Sequence, residues 1–357
     1  MPTIEGGGVE KNLFIIANYL AKKISNSILI TYASNFNHRF KSLKIINSQF
    51  KLKIITSKKL KYFFCIYELI KLFLNDKNYL VLSFQANIYC AFICRLFGVK
   101  VITRSNTSPS GWKLGFFRKI IFYFLLKLPN RIIVNSKQFQ KEYKNRFNLH
   151  TNCIYNPLDI KYITNLANRK IAKNFFKNYK KTKIVFIGRL VDQKDPFTFV
   201  EALKILNYKI DFKAIIIGKG IYYEQLKNFL SINNLNTKVK ILNWKKNPYN
   251  YLKASNLLVL TSKYEGLPNV LLEAISLKKY VISSNCPTGP NEILDGGRGG
   301  GLFEIGNFSQ LADKIYLFSR NKNRHKSKIK FAYKRLIRFD YKKNLNLYFK
   351  EIKKEIN

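Results

Sequence analysis

Acidic residues are scarce in this 357-residue chain: 20 Asp and Glu face 64 Lys and Arg, for a formal charge of +44. Histidine is scarcer still, and the three present, His38, His150 and His325, lie outside every motif described below and are expected on the surface. The five cysteines (Cys65, Cys90, Cys94, Cys153, Cys286) are odd in number and lack CxxC spacing, which argues against a disulfide framework and for buried free thiols in a reducing compartment. No apolar run reaches the roughly 18 to 20 residues that span a bilayer. The longest nearly uncharged stretch, Asn78 to Cys94, is interrupted by Ser83, Gln85 and Asn87 and stops at Arg95. No signal-peptide pattern precedes it, so the expected location is cytoplasmic, peripheral on the inner face of the membrane. No internal repeat is present.

Against these absences stands an apolar fraction of 47%, enough to exclude global disorder, over a length that predicts two domains. The positive charge points to an anionic partner: nucleic acid, anionic lipid or a sugar nucleotide. It is spread along the chain, with 25 basic and 5 acidic residues up to position 158 and the remainder beyond, so no single basic arm accounts for it. Codon bias of an AT-rich genome is an equally good source of so many lysines.

Short β-rich runs alternate with helical patterns, the mark of α/β units built on parallel sheets. Strands are expected at 27–32, 80–83, 100–103, 131–134, 183–187, 213–217, 239–242, 257–260 and 280–283. Helical periodicity over Val9 to Lys23 puts Leu13, Ile16, Ala17, Leu20 and Ile24 on one face, and Phe197 to Leu206 behaves similarly. The alternation pauses at Tyr155-Asn-Pro-Leu-Asp159. This divides the chain into a first domain over 1–158, a connecting stretch over 159–181 and a second domain over 182–340, with a helix at about 341–357 packing back on the first.

Parallel sheets bind ligands at the carboxyl ends of their strands, beside the N-termini of the following helices. Glu265-Gly-Leu-Pro-Asn-Val-Leu-Leu-Glu273 sits at such a junction, with Pro268 suited to a first helical turn. The amides of Asn269 and Val270 would face an anion, and Gly266 and Leu267 would lie in the loop between two carboxylates, Glu265 and Glu273. A nucleotide-diphosphate sugar supplies both an anion and hydroxyls; an ordinary strand-turn-helix with solvated glutamates is the plainer alternative. Gly188-Arg189-Leu-Val-Asp-Gln-Lys194 occupies a second junction, where Arg189 and Lys194 could clamp a diphosphate. Gly6-Gly7-Gly8 precedes the first helix and would allow close approach of a phosphate or sugar.

These segments, with Ser283-Ser-Asn-Cys-Pro-Thr-Gly-Pro-Asn-Glu-Ile-Leu294, together resemble retaining glycosyltransferases of family 4. The last segment resembles the branch that builds lipopolysaccharide, capsule and lipid-linked oligosaccharides from UDP-sugars. The resemblance implies the α/β GT-B fold, two Rossmann-like domains facing across a cleft that closes over the substrates. It assigns Glu273 to the ribose hydroxyls, Glu265 to the donor sugar, Arg189 and Lys194 to the diphosphate, and Gly7 and Gly8 to the donor phosphate or acceptor. Two departures accompany it. Met1-Pro-Thr-Ile-Glu runs straight into Gly6 where the family has a first strand, so that central strand is expected to be missing, most simply because the start is placed too late. Val101-Ile-Thr-Arg-Ser-Asn106 offers Ser105 and Asn106 where many relatives place a histidine near the acceptor, and neither is a convincing base.

A retaining transfer needs no strong base if the departing phosphate takes the acceptor's proton. The chain also lacks any D-x-D triplet, the metal-diphosphate device of the other major glycosyltransferase fold. Metal independence and no cofactor are therefore expected, with a UDP-sugar as substrate and a glycan or lipid-linked acceptor as partner. An anionic membrane surface is a further expected partner, because Ser110 to Lys127 mixes aromatics and cations in an amphipathic pattern. A packed crossover helix is the alternative for that segment. A sugar-nucleotide epimerase of the same fold shares the donor site. A nucleic-acid-binding protein would explain the charge, but no reading motif supports it and no nucleic-acid partner is expected.

Overall fold

The computed structural model describes residues 7–32, 42–47, 58–106, 116–171, 175–321 and 323–356. The chain divides into two compact units, one of residues 1–157 and 341–357 and the other of residues 158–340. Residues 1–6, where the missing first strand was expected, lie outside the described residues, as do His38 and the start of the 110–127 segment.

The first unit runs α1 (Gly8–Ala21), β1 (Ile28–Thr31), β2 (Lys44–Asn47), α2 (Lys58–Asn75), β3 (Leu80–Ser83), α3 (Asn87–Leu96), β4 (Lys100–Arg104), α4 (Phe116–Leu125), β5 (Arg131–Val134), α5 (Lys137–Phe147) and β6 (Asn152–Cys153). Strands β1 and β2 form one parallel pair, and β3, β4, β5 and β6 form a separate parallel sheet in that order. Alternation along the strands sorts side chains onto two faces. Ile102 and Ile133 enter a core with Leu13, Ile16 and Leu20 of α1, whereas Val101 faces Leu69 and Phe73 of α2 and Cys90, Ala91 and Cys94 of α3. Ile132 and Val134 cluster with Phe139 and Tyr143 of α5.

The last helix, which will be α14 (Tyr341–Ile356), returns to this unit and adds Leu345, Tyr348 and Ile352 to the α1 core. It is pinned by polar contacts as well. Arg131 pairs with Glu355 at 2.5 Å, and the Tyr348 hydroxyl accepts from Arg104 Nε at 2.7 Å. Arg104 is wholly buried; its other partners are Asn156 and Asn106, all neutral.

In the second unit, α6 (Ile160–Ala167), β7 (Thr182–Ile187), α7 (Pro196–Leu206), β8 (Phe212–Ile217), α8 (Tyr223–Ile232), β9 (Val239–Leu242), α9 (Tyr249–Ala254), β10 (Leu257–Leu260), α10 (Asn269–Ser276), β11 (Tyr280–Ser284), α11 (Pro290–Leu294), β12 (Gly301–Phe303), α12 (Phe308–Arg320) and α13 (Lys326–Arg335) follow in order. All six strands are parallel, in the order β12-β11-β10-β7-β8-β9. Sheets covered on both faces need continuous apolar strands, and Ile184-Val185-Phe186, Ala214-Ile215-Ile216 and Leu257-Leu258-Val259 are all buried. The stretch set apart above as a connector, where described, belongs to this unit: α6 lies against α9 and α10. The chain enters at Leu158 and leaves at Asp340, which pair as an isolated parallel bridge.

Three short strands, β2, β6 and β12, were not legible in the sequence; at two to four residues each they carry too little alternation to register. His325 departs from expectation in a different way. Rather than lying free on the surface, it packs edge-on against Tyr280 and Phe318, whose rings stack at 5.0 Å. His150 is exposed, as expected. The described cysteines are all free thiols, four of them buried.

Candidate functional site

The strand order of the second unit reverses between β7 and β10. From β7 the chain steps outward through β8 and β9, then returns to β10 on the other side and steps outward again. At such a switch point the following helices leave on opposite sides, and a crevice opens at the carboxyl ends of the strands. The two sharpest sequence motifs sit at these ends: Gly188 to Lys194 after β7, and Glu265 to Glu273 after β10.

Several bonds hold the first loop in shape. Pro196 opens α7 with Asp195 as its cap, the carboxylate accepting from the Thr198 hydroxyl at 2.6 Å. From the end of β10, the Thr261 hydroxyl donates to the carbonyls of Lys194 and Asp195 at 2.8 and 2.7 Å. The turn bearing Lys194 is therefore fastened to the neighbouring strand, and Lys194 runs its stem past Gly188. A Cβ on Gly188 would lie 3.6 Å from that stem. On its other side Gly188 meets Gly218, where a Cβ would fall 1.9 Å from the Gly188 carbonyl oxygen. Only glycine allows these two strand ends to touch. Gly220 approaches Leu190 almost as closely.

The second loop is braced from β11. Ser284 donates to the Ser262 carbonyl at 2.6 Å, and Thr288 donates to the Glu265 carbonyl at 2.5 Å. Gly289, at φ +93°, lies against the Gly266 carbonyl and Pro268, where any Cβ would clash. Helix α10 then starts at Asn269 with Pro268 as its cap, which makes no side-chain cap bond, and the Leu271 amide donates back to the Pro268 carbonyl at 3.1 Å.

The two loops meet in one ion pair. Lys194 Nζ contacts Glu265 Oε1, with side chains only 15% and 9% exposed, and the same carboxylate oxygen accepts from the Ser262 hydroxyl at 2.7 Å. Arg189 is exposed and donates to Gln193 at 2.7 Å; Gln193 in turn donates to the Tyr264 carbonyl, so the arginine is tethered to the Glu265 loop through an amide. Buried Cys286 sits near this pair, and burial followed by the Glu265 charge pushes its thiol up to about 12. Gly266 and Leu267 are buried in the loop. Glu273 lies deeper in α10, also buried, with Tyr249 of α9 donating to it at 3.4 Å.

The remaining expected residues belong to the first unit. Gly7 precedes α1 as its cap, and a Cβ there would meet the Glu10 carboxylate at 2.7 Å; Gly8 is the first helical residue. Ser105 turns inward to the Tyr143 hydroxyl at 3.0 Å, while half-buried Asn106 donates to the Phe84 carbonyl and accepts from Arg104. Sequence reasoning passed over Gln193, Thr261, Thr288 and Tyr249, whose roles depend on partners far along the chain, and Ser262, which lies three residues before its partner Glu265. Gly218-Lys-Gly220, two glycines at a strand end beside Gly188, was a readable signal.

Residues 167–335, all within the second unit, match the family model of glycosyl transferases group 1. An uncharacterized glycosyltransferase of Methanocaldococcus jannaschii is 34% identical over 198 residues, covering 53% of this chain and 48% of its own. The chain thus spans about half the length of that relative. The GalNAc-α-(1→4)-GalNAc-α-(1→3)-diNAcBac-PP-undecaprenol α-1,4-N-acetyl-D-galactosaminyltransferase of Campylobacter jejuni is 26% identical over 95% of this chain and 92% of its own. Among solved structures, Anabaena HepE in complex with UDP and glucose superposes with a TM-score of 0.80 at 18% identity, covering 99% of this chain and 98% of that one. The chain therefore has the GT-B fold of two Rossmann-like units, and its residues 167–335 resemble the glycosyl transferases group 1 family.

Proposed function

We propose that the protein is a retaining, metal-independent glycosyltransferase that moves a hexose or N-acetylhexosamine from a UDP-sugar to a lipid-linked or cell-surface glycan at an anionic membrane surface. The observation that carries this reading is the meeting of Lys194, Glu265 and the first turn of α10 at the switch point, with Arg189 tethered beside them. Two cations and a helix N-terminus suit a diphosphate. Glu273 is assigned to the ribose hydroxyls and Glu265 to the donor sugar; Gly7 and Gly8 are assigned to the donor phosphate, and Asn106, with Ser105 behind it, to the acceptor side. The Campylobacter relative acts on an undecaprenyl-diphosphate-linked glycan, which supports an acceptor of that class.

In a same-face transfer the bond from the sugar C1 to the diphosphate oxygen breaks as C1 bonds to the acceptor oxygen. The acceptor's proton passes to the departing phosphate oxygen, so no side chain has to act as base. Arg189 and Lys194 oppose the negative charge that builds on the diphosphate, a role commonly worth ~3 kcal/mol per group. Lys194 can do so because its stem is fixed over Gly188 and its turn is held by Thr261. Its pairing with Glu265 places a carboxylate and a cation side by side, one for sugar hydroxyls and one for phosphate.

A thermal-shift panel of UDP-, GDP- and dTDP-sugars tests the donor. A UDP-sugar at about one hundred times its Kd adds about 2.7 kcal/mol of stability, a clear rise in Tm. No rise with any nucleotide sugar would overturn the donor assignment. Activity lost in EDTA and restored by manganese would overturn metal independence, and a product of inverted anomeric configuration would overturn retention.

A further inference from the structure

Three neighbouring helices of the first unit turn apolar rows away from the protein. On α2, Cys65, Leu69 and Phe73 face the core, while Leu60, Phe63, Tyr67 and Leu74 form an outward row at helical spacing, Phe63 and Leu74 being 64% and 72% exposed. Helix α3 repeats the arrangement: Cys90, Ala91 and Cys94 face in, and Tyr89, Phe92 and Leu96 face out. It lies between α2 and α4 and touches both. Among the described side chains of α4, Ile120, Ile121 and Phe124 are exposed. A continuous set of large exposed apolar groups marks a docking surface, because isolated ones would need no explanation.

Charge selects the occupant. Over these three helices the sequence has seven basic residues and one acidic, and the acid, Glu68, is already paired with Lys71 at 3.2 Å. Lysines stand among the aromatics: Lys71 lies over the Tyr67 ring at 4.4 Å, and Lys127, just past α4, over Tyr123 at 4.2 Å. Protein interfaces are depleted of lysine at their centres. Aromatic and apolar groups interleaved with lysines instead suit the boundary of a bilayer with anionic headgroups. No helix among the described residues is long and apolar enough to cross a membrane, so the fit is to the surface.

We propose that the outward faces of α2, α3 and α4 form one membrane-docking surface that seats the protein on an anionic lipid bilayer. This deepens the reading of a lipid-linked acceptor and rests on it. The apolar rows would enter the headgroup boundary while the lysines meet lipid phosphates.

Sedimentation of the full chain with vesicles tests the proposal, using phosphatidylglycerol mixed with phosphatidylcholine against phosphatidylcholine alone, at low salt. The wild type is expected to pellet with the anionic vesicles. The triple variant Phe63→Glu, Phe92→Glu, Phe124→Glu should lose binding about tenfold or more while keeping its Tm, since all three side chains are exposed. Lys61→Gln with Lys71→Gln and Lys127→Gln should erase the preference for anionic vesicles. A wild type that stays in the supernatant, or a Phe triple variant that binds as well as wild type, overturns the proposal. So does a dimer in solution that the Phe triple variant abolishes in the absence of vesicle binding, which would give the face to a second copy. The UDP-sugar thermal shift, read in the same samples, reports the donor site alone, so a failed membrane face and a failed donor assignment give different results.

Discussion

Replacing Lys194 by Met removes one member of a nearly buried ion pair and leaves the Glu265 carboxylate between two loops without its cation. At about 4 Å and an effective dielectric near 20 the attraction lost is about 4 kcal/mol. Breaking such a pair one-sidedly costs about 3–5 kcal/mol, because the remaining charge stays desolvated. Ser262 still donates to Glu265 at 2.7 Å, which places this case at the lower end, about 3 kcal/mol. At about 2–4 °C per kcal/mol for a domain of this size, Tm should fall by about 6–12 °C. Glu265→Gln should cost a similar amount by stranding Lys194. The double variant Lys194→Met, Glu265→Gln has no stranded charge and should return to within about 1 kcal/mol of wild type, since a buried pair as a whole contributes little over neutral groups. Thermal and urea melts of the four proteins close the cycle. In both proteins carrying Lys194→Met the UDP-sugar thermal shift should be absent, recovered stability notwithstanding. Single variants that melt with the wild type, or a double variant that loses the sum of the singles, would refute the reasoning.

Other consequences can be checked separately. Gly218→Ala places a Cβ 1.9 Å from the Gly188 carbonyl and should force the two strand ends apart, lowering kcat/KM for transfer by more than about tenfold; unchanged kinetics would contradict the close approach. Glu273→Ala, inside α10, should raise the KM for donor with little change in kcat, a split measured by steady-state kinetics. Cys286 should resist thiol reagents in the native protein at pH 8, since burial pushes its thiol up to about 12. The folded thiol keeps its proton through the range from about 9 to about 12 where the unfolded one ionises, so this contribution to stability is present below pH 9 and declines above it. Tyr348→Phe should cost about 2 kcal/mol in denaturant unfolding by leaving an N–H of buried Arg104 without its acceptor.

What the amino-acid sequence determined here was local. Continuous apolar runs such as Leu257–Leu260 specify a strand wherever they are buried, and Pro196 and Pro268 specify helix starts, so the alternation of elements and the junctions bearing Gly188 and Glu265 could be read directly. Tertiary structure decided the rest. Lys194 and Glu265 lie 71 positions apart and meet only because β7 and β10 are neighbours across the reversal in strand order. Thr261 draws no notice in one dimension, since its meaning lies in the Lys194 and Asp195 carbonyls that the end of a neighbouring strand brings to it. The same holds for the rows on α2 and α3, whereas the aromatic and cationic mix of α4 was already legible in the sequence. Helices α2 and α3 each read as an ordinary amphipathic helix, and packing alone determines that the second apolar face is left to the outside.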